Sequence, residues 1–166
     1  MAKNASFIRW AGGKGWFIPV VQDMIQNLQF NNYIEPFMGG ASIFFALDLP
    51  NKAYLSDINE ELVNTFTQIR DNLHAVTEKL KEYKTDKDSY YVIREKEPTD
   101  LIEQAARFLY LNFYSFNGIY RVNSKGKYNV HMVVEVENLI TTALKQSEKN
   151  FKLLMYRTEI LQLVKM

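Results

Sequence analysis

Apolar positions along the chain switch between two periods. Phe17, Val20, Val21, Met24, Ile25 and Leu28 recur at the three- and four-residue intervals of a helix, with Pro19 placed where a first turn tolerates it. Tyr33 to Phe37 is a short run that predicts a strand, closed by the bend Met38-Gly39-Gly40-Ala41-Ser42; Ile43, Phe44, Phe45 and Leu47 then resume helical spacing. Ala53 to Asp57 predicts a second strand. Asn59 follows as a helix cap for Leu62, Val63, Phe66 and Ile69. This β-α-β-α order predicts the opening of a doubly wound α/β sheet.

Further on, helical intervals continue through Val76, Leu80 and Tyr83, then Tyr90 and Ile93. Pro98-Thr99-Asp100 starts another predicted helix, whose buried face would be Ile102, Ala105, Ala106, Leu109 and Phe113. From Asn117 to Val130, turn residues at Asn123 to Gly126 sit between β-prone flanks and predict a hairpin or long loop. Val136, Leu139, Ile140, Ala143 and Leu144 predict one more amphipathic helix, Phe151 to Tyr156 a third strand, and Ile160 to Val164 an apolar stub.

With 166 residues the chain is long enough for one domain with its own core, and 47% apolar against 23% charged residues is a globular balance. No run of eighteen apolar residues and no apolar N-terminal stretch occurs, so neither a membrane span nor a signal peptide is expected, and the cytoplasm is the expected compartment. There is no cysteine and there are two histidines, His74 and His131, which argues against a metal site. Charge is unevenly spread. Asp57 to Glu103 holds twelve acids against seven Lys or Arg, whereas Arg107, Arg121, Lys125 and Lys127 stand unopposed between Glu103 and Glu135, and Lys3, Arg9 and Lys14 in the first twenty residues. A basic loop interleaved with aromatic and amide side chains raises the prospect of a nucleic-acid partner.

The bend after the first predicted strand lets a ligand approach bare backbone and offers N–H groups of the helix behind it. It lacks the G-x-G-x-x-G pattern, which disfavours a nicotinamide cofactor. Asp57, at the end of the next strand, is placed to accept hydrogen bonds from a ribose diol; capping the following helix is the competing role.

Arg9-Trp10-Ala11-Gly12-Gly13-Lys14, Glu35-Pro36-Phe37-Met38-Gly39-Gly40, Asp57-Ile58-Asn59, and Phe116-Asn117-Gly118 through Tyr128-Asn129-Val130 occur in the order of four family motifs. In this the chain resembles the Dam-type family of S-adenosylmethionine-dependent DNA adenine-N6 methyltransferases, from about Phe7 to Val130. The resemblance implies that Trp10 and Lys14 hold S-adenosyl-L-methionine, that Asp57 binds its ribose hydroxyls, and that Glu35, Phe37 and Gly39 shape the pocket floor. It implies Arg121 as a guanine contact and Asn117 and Ile119 as side chains entering the base stack beside a flipped adenine. Arg9, Asn123, Lys125 and Lys127 complete the expected contacts to double-stranded DNA. Family members often carry a second glycine where this chain has Ala41. After Val130 they continue with P-(F/Y)-G, where this chain reads His131-Met132-Val133.

The fold implied is α/β, an incomplete Rossmann-like methyltransferase sheet with an inserted helical and β-hairpin DNA-recognition region. Residues 1–60 and 150–166 would form the cofactor core, and 61–149 the target-recognition region, with its basic hairpin at 116–130. The family redirects the adenine amine with a (D/N)-P-P-(Y/F) turn. The four prolines here, Pro19, Pro36, Pro50 and Pro98, are never adjacent, so no catalytic residue is assigned. The expectation is therefore a truncated enzyme, inactive alone, with an open sheet edge beside the strand at Tyr33. A second polypeptide carrying the D-P-P-Y half, or self-association, would complete it. A non-catalytic DNA- or cofactor-binding module and an unrelated α/β nucleotide-binding domain remain alternatives.

Overall fold

A computed structural model of the chain describes residues 6–47, 52–133 and 158–162. Three short strands, β1 (Asn32–Glu35), β2 (Lys52–Asp57) and β3 (Thr158–Gln162), form a parallel sheet in the order β1-β2-β3. Tyr33 stands opposite Ala53 and Glu35 opposite Leu55, while Leu55 stands opposite Ile160 on the other side. Parallel pairing requires crossovers, and helices supply the first one, as the β-α-β-α pattern predicts.

β3 covers the front of the segment predicted as an apolar stub and lies just after the strand predicted at 151–156. That strand, and the helix predicted around 136–144, lie outside the described residues. β2 pairs in parallel with Thr158 to Gln162. β1 is an outer strand of the described sheet. It is four residues long with Ile34 66% exposed, so its open side is short.

A 3₁₀ turn at Lys14–Phe17 leads into α1 (Ile18–Ile25), which has proline in its first turn. α2 (Ser42–Ala46) is a single buried turn after the glycine bend, entered through Ala41 in the left-handed region (φ 51°). α3 (Glu60–Lys81) is capped by Asn59, whose Oδ1 accepts the Leu62 N–H at 3.0 Å, and is interrupted at Asn72, where the backbone leaves helical geometry. α4 (Lys87–Glu95) and α5 (Leu101–Tyr114) are capped by Asp86 and Asp100.

One core joins these elements. Phe7 packs on Phe45 and Phe66, uniting the N-terminal segment, α2 and α3, and Leu62 and Ile69 are fully buried beside them. The single apolar face predicted for α5 proves too narrow: every residue from Ala105 to Tyr114 is buried, Arg107 and Asn112 included. Such a helix needs polar side chains that find partners indoors. Arg107 donates from Nε to the Ile93 carbonyl (3.1 Å) and from Nη2 to that of Arg94 (2.6 Å), closing the end of α4. Among the described residues no helix is long and apolar enough to cross a membrane.

Candidate functional site

Asp57, the last residue of β2, ties two loops together. Its Oδ2 accepts the Gly39 N–H at 3.0 Å and its Oδ1 the Asn59 N–H at 3.0 Å. Capping of α3 falls to Asn59, so the competing role considered for Asp57 is filled by its neighbour. Each carboxylate oxygen retains a lone pair for a further donor.

The glycine bend lies against the N-terminal loop. Gly39 has φ 49°, and a Cβ there would stand 2.8 Å from Trp10 Cδ1 and 3.0 Å from its Nε1, so the indole lies against a position that favours glycine both by backbone and by space. A Cβ at Gly40 would likewise stand 3.2 Å from Trp10 Cβ and 3.1 Å from Ser6 Oγ. Trp10 also joins a three-ring cluster with residues from elsewhere in the chain, 6.2 Å from Phe108 and 5.7 Å from Tyr120 between ring centroids, those two being 5.7 Å apart. Left-handed geometry at Ala41 explains why a glycine is at home at that position, since a Cβ there costs about 1–2 kcal/mol.

Lys14 reaches the bend from the same loop. Its Nζ donates to the Phe37 carbonyl at 2.7 Å and lies 3.5 Å from Glu35 Oε1. Glu35, at the end of β1, is 6% exposed. Tyr33 donates its hydroxyl to Oε2 at 2.9 Å, whereas Oε1 is buried with no hydrogen-bond partner. Burial pushes the Glu35 carboxyl above the usual carboxylate range, against the pull of the Tyr33 hydroxyl and the Lys14 ammonium. The Tyr33 phenol is pushed up in turn, by burial first and then by the Glu35 charge. Phe37, expected on the pocket floor, carries its ring outward at 72% exposure, and its backbone carbonyl is what meets Lys14. Trp10, Lys14, Glu35, Gly39 and Asp57 thus converge, with the backbone of Phe37.

The basic segment closes as a narrow hairpin-like turn. Val122 bridges Tyr128 antiparallel, Asn129 N–H donates to the Arg121 carbonyl at 3.1 Å, and Gly126 N–H returns to Asn123 at 2.9 Å. Asn123 Oδ1 accepts from the N–H groups of Lys125 (2.9 Å) and Lys127 (3.1 Å), so its side chain builds the tip. Arg121 is exposed, and its Nε and Nη2 cross the ribbon to Oδ1 and O of Asn129 at 2.8 and 3.2 Å. Lys127 pairs with Glu97 at 2.7 Å. Asn117 is exposed with φ 54°, and Ile119 is half-buried. Arg9 packs its stem on Gly118, where a Cβ would meet it, and its backbone is bonded on both sides by buried Asn112: Arg9 N–H to Oδ1 at 2.9 Å, and Nδ2 to Arg9 O at 2.6 Å. Asn112 Nδ2 also reaches Gly118 O at 3.1 Å.

Sequence reasoning missed Asn112, Glu61 and Tyr120, which fasten the hairpin to the N-terminal loop and to α3. An Asn inside the apolar run of α5 was the available signal. Glu61 and Tyr120 carried none, because their pairing spans 59 residues.

A glycine bend after one parallel strand, an acid at the end of the next bonded to that bend, and an indole against it gather loops of an α/β domain at the ends of its parallel strands. The profile of the D12 class N6 adenine-specific DNA methyltransferases matches residues 10–159, and the chain belongs to this family. It is 37% identical over 132 residues to the type II methyltransferase M1.LlaDCHI of Lactococcus lactis subsp. cremoris, covering 75% of this chain and 46% of that protein. It is 32% identical over 145 residues to M.MjaIII of Methanocaldococcus jannaschii (75% and 50%), and 34% over 137 residues to the DNA adenine methylase of Salmonella typhi (78% and 48%). The chain spans about half the length of these curated relatives. The family is one of DNA-acting methyltransferases, whose reaction requires a methyl donor such as S-adenosylmethionine.

Proposed function

We propose that this chain serves site-specific DNA adenine-N6 methylation, supplying the S-adenosylmethionine pocket and part of the target-recognition surface. The observation that carries the reading is the convergence of Trp10, Lys14, Glu35, Gly39 and Asp57 through short, specific contacts. The pocket fits the cofactor on two counts. Glu35 Oε1 is a buried oxygen without a donor, beside an ammonium, which suits a zwitterionic amino-acid head. Asp57 keeps unused lone pairs at the mouth of a bend that a Cβ would close.

Lys14 would meet the cofactor's carboxylate, Glu35 its ammonium, Asp57 its ribose diol and Trp10 its apolar face. When bound, S-adenosylmethionine supplies an electrophilic methyl group on a sulfonium. Residues 1–60 and 150–166 carry the cofactor side of this reading and residues 61–149 the DNA side. On that side Arg121 reads a guanine edge, Asn117 and Ile119 enter the stack, and Lys125 and Lys127 meet phosphates, joined from the N-terminal loop by Arg9. Asn123 shapes the tip that presents them.

None of these residues accepts the adenine amine proton, and we propose that a D-P-P-Y segment from elsewhere takes that step; the exposed side of β1 is where a second polypeptide, or a second copy of this chain, would pair. The expected setting is the cytoplasm. Transfer of a labelled methyl group from S-adenosylmethionine to an adenine-containing duplex tests this, with and without a fragment covering the second half of a Dam-type relative. Label at adenine N6 in the complemented mixture is expected. Absence of label in every mixture, with both fragments folded, contradicts the proposal.

A further inference from the structure

Tyr120 sits between Ile119 and Arg121 in the hairpin, yet its ring turns the other way. Ile119 has extended backbone (φ −69°, ψ 126°), which sends the next side chain to the opposite face and so turns Tyr120 away from it. There Tyr120 stacks on Trp10 with 27° between the planes and lies 5.7 Å from the Phe108 ring. Its hydroxyl donates to Glu61 Oε2 at 2.8 Å. The other oxygen of Glu61 lies 3.5 Å from Arg107 Nη1, and Arg107 is itself pinned to two carbonyls at the end of α4. Burial, and then the Glu61 charge, push the Tyr120 phenol upward, so it remains a donor to that carboxylate.

Continuous contact therefore runs from the hairpin to the far side of the pocket: Arg121 and Ile119 flank Tyr120, Tyr120 stacks on Trp10, Trp10 covers Gly39, and Gly39 is bonded to Asp57. Glu61 lies in the first turn of α3, four residues beyond Asp57, so the anchor of Tyr120 and the ribose-facing acid share one rigid segment.

Building on the proposed function, we propose that Tyr120, held by Glu61, is a positioning residue that couples the DNA-recognition hairpin to the S-adenosylmethionine pocket, so that each ligand tightens binding of the other. Seating the hairpin on a duplex sets the Tyr120 ring, and the ring sets the indole over the glycine bend. By thermodynamic necessity the coupling is reciprocal.

The test measures the dissociation constant of S-adenosylmethionine with and without a saturating adenine-containing duplex, by calorimetry on the purified chain. The native chain is expected to bind the cofactor about fivefold or more tightly with duplex present. Tyr120→Phe keeps the ring stack and loses the hydroxyl; its duplex-free affinity should stay within about twofold, while the gain on adding duplex falls below about twofold. Glu61→Gln retains an acceptor for the hydroxyl and should preserve the coupling. In a Trp16→Phe background, duplex should shift Trp10 emission, and adding Tyr120→Phe should abolish the shift. Coupling unchanged in Tyr120→Phe, or no coupling in the native chain although both ligands bind, overturns the proposal alone. Failure of the native chain to bind S-adenosylmethionine at all overturns the functional reading beneath it and this proposal together.

Discussion

The carboxylate of Asp57 and the backbone N–H of Gly39 are joined by a 3.0 Å hydrogen bond, so the acid that ends β2 and the bend that follows β1 move as one piece. A second bond from Asn59 fixes the same carboxylate to the start of α3. Hydrogen bonds to a charged acceptor contribute about 1.5–3 kcal/mol each. Asp57→Asn retains one acceptor oxygen and presents an NH₂ to the other donor. The expected loss is about 2 kcal/mol of stability, or roughly 4–8 °C in melting temperature. Scanning calorimetry checks it; an unchanged melting temperature would show that the two loops do not depend on this carboxylate.

Two glycines with positive φ separate backbone strain from crowding. Gly126 has φ 76° with nothing within 4 Å of an added Cβ, whereas Gly39 has φ 49° and Trp10 at 2.8 Å. Gly126→Ala is expected to cost about 1–2 kcal/mol from the left-handed backbone alone. Gly39→Ala should cost more and change tryptophan emission, because the indole must move. Equal costs and identical emission spectra would mean that Trp10 does not rest on the bend.

Glu35 makes stability depend on pH with a definite sign. Its folded carboxyl titrates above the unfolded one, so between the two values the folded state holds more protons. Stability then falls as pH rises through that window and levels off above it. Glu35→Gln removes the buried charge, and its melting temperature relative to the native chain should climb as pH rises from the ordinary carboxylate range through the raised folded value. Cofactor binding should weaken in the same variant. A stability difference that is flat with pH, or that declines, would place the carboxylate in solvent.

Arg121 and Lys125 are expected to differ in kind. Arg121 is aligned by Asn129, which leaves part of its guanidinium fork for a base edge. Arg121→Ala should relax preference among adenine-containing duplexes by about 1–3 kcal/mol. Lys125→Ala should weaken all duplexes alike and reduce the salt dependence by about one unit. Competition binding across a duplex library distinguishes them. A uniform loss in Arg121→Ala would reduce it to a phosphate contact.

Local signals in the sequence fared well where the chemistry is local. Asn59 and Asp100 announce their helices because a cap needs only a short polar side chain three residues before its N–H partner. The bend at Gly39 and the turn at Asn123 to Gly126 are legible for the same reason. Long-range satisfaction is not: an apolar stripe predicts one face for α5, but its burial on all sides depends on Arg107 finding carbonyls of α4 and Asn112 finding Arg9. At the candidate site the family motifs pointed to both Lys14 and Glu35, but their contact with each other was not legible in them. The outward turn of Phe37 and the inward turn of Tyr120 depend on packing that no short motif encodes.

Isothermal titration of the purified chain with S-adenosylmethionine, and separately with NAD, tests the central claim most directly. The account predicts one saturable site for S-adenosylmethionine, none for NAD, and loss of that binding in folded Trp10→Ala and Asp57→Ala. Absence of S-adenosylmethionine binding, or undiminished binding in both variants, would contradict it.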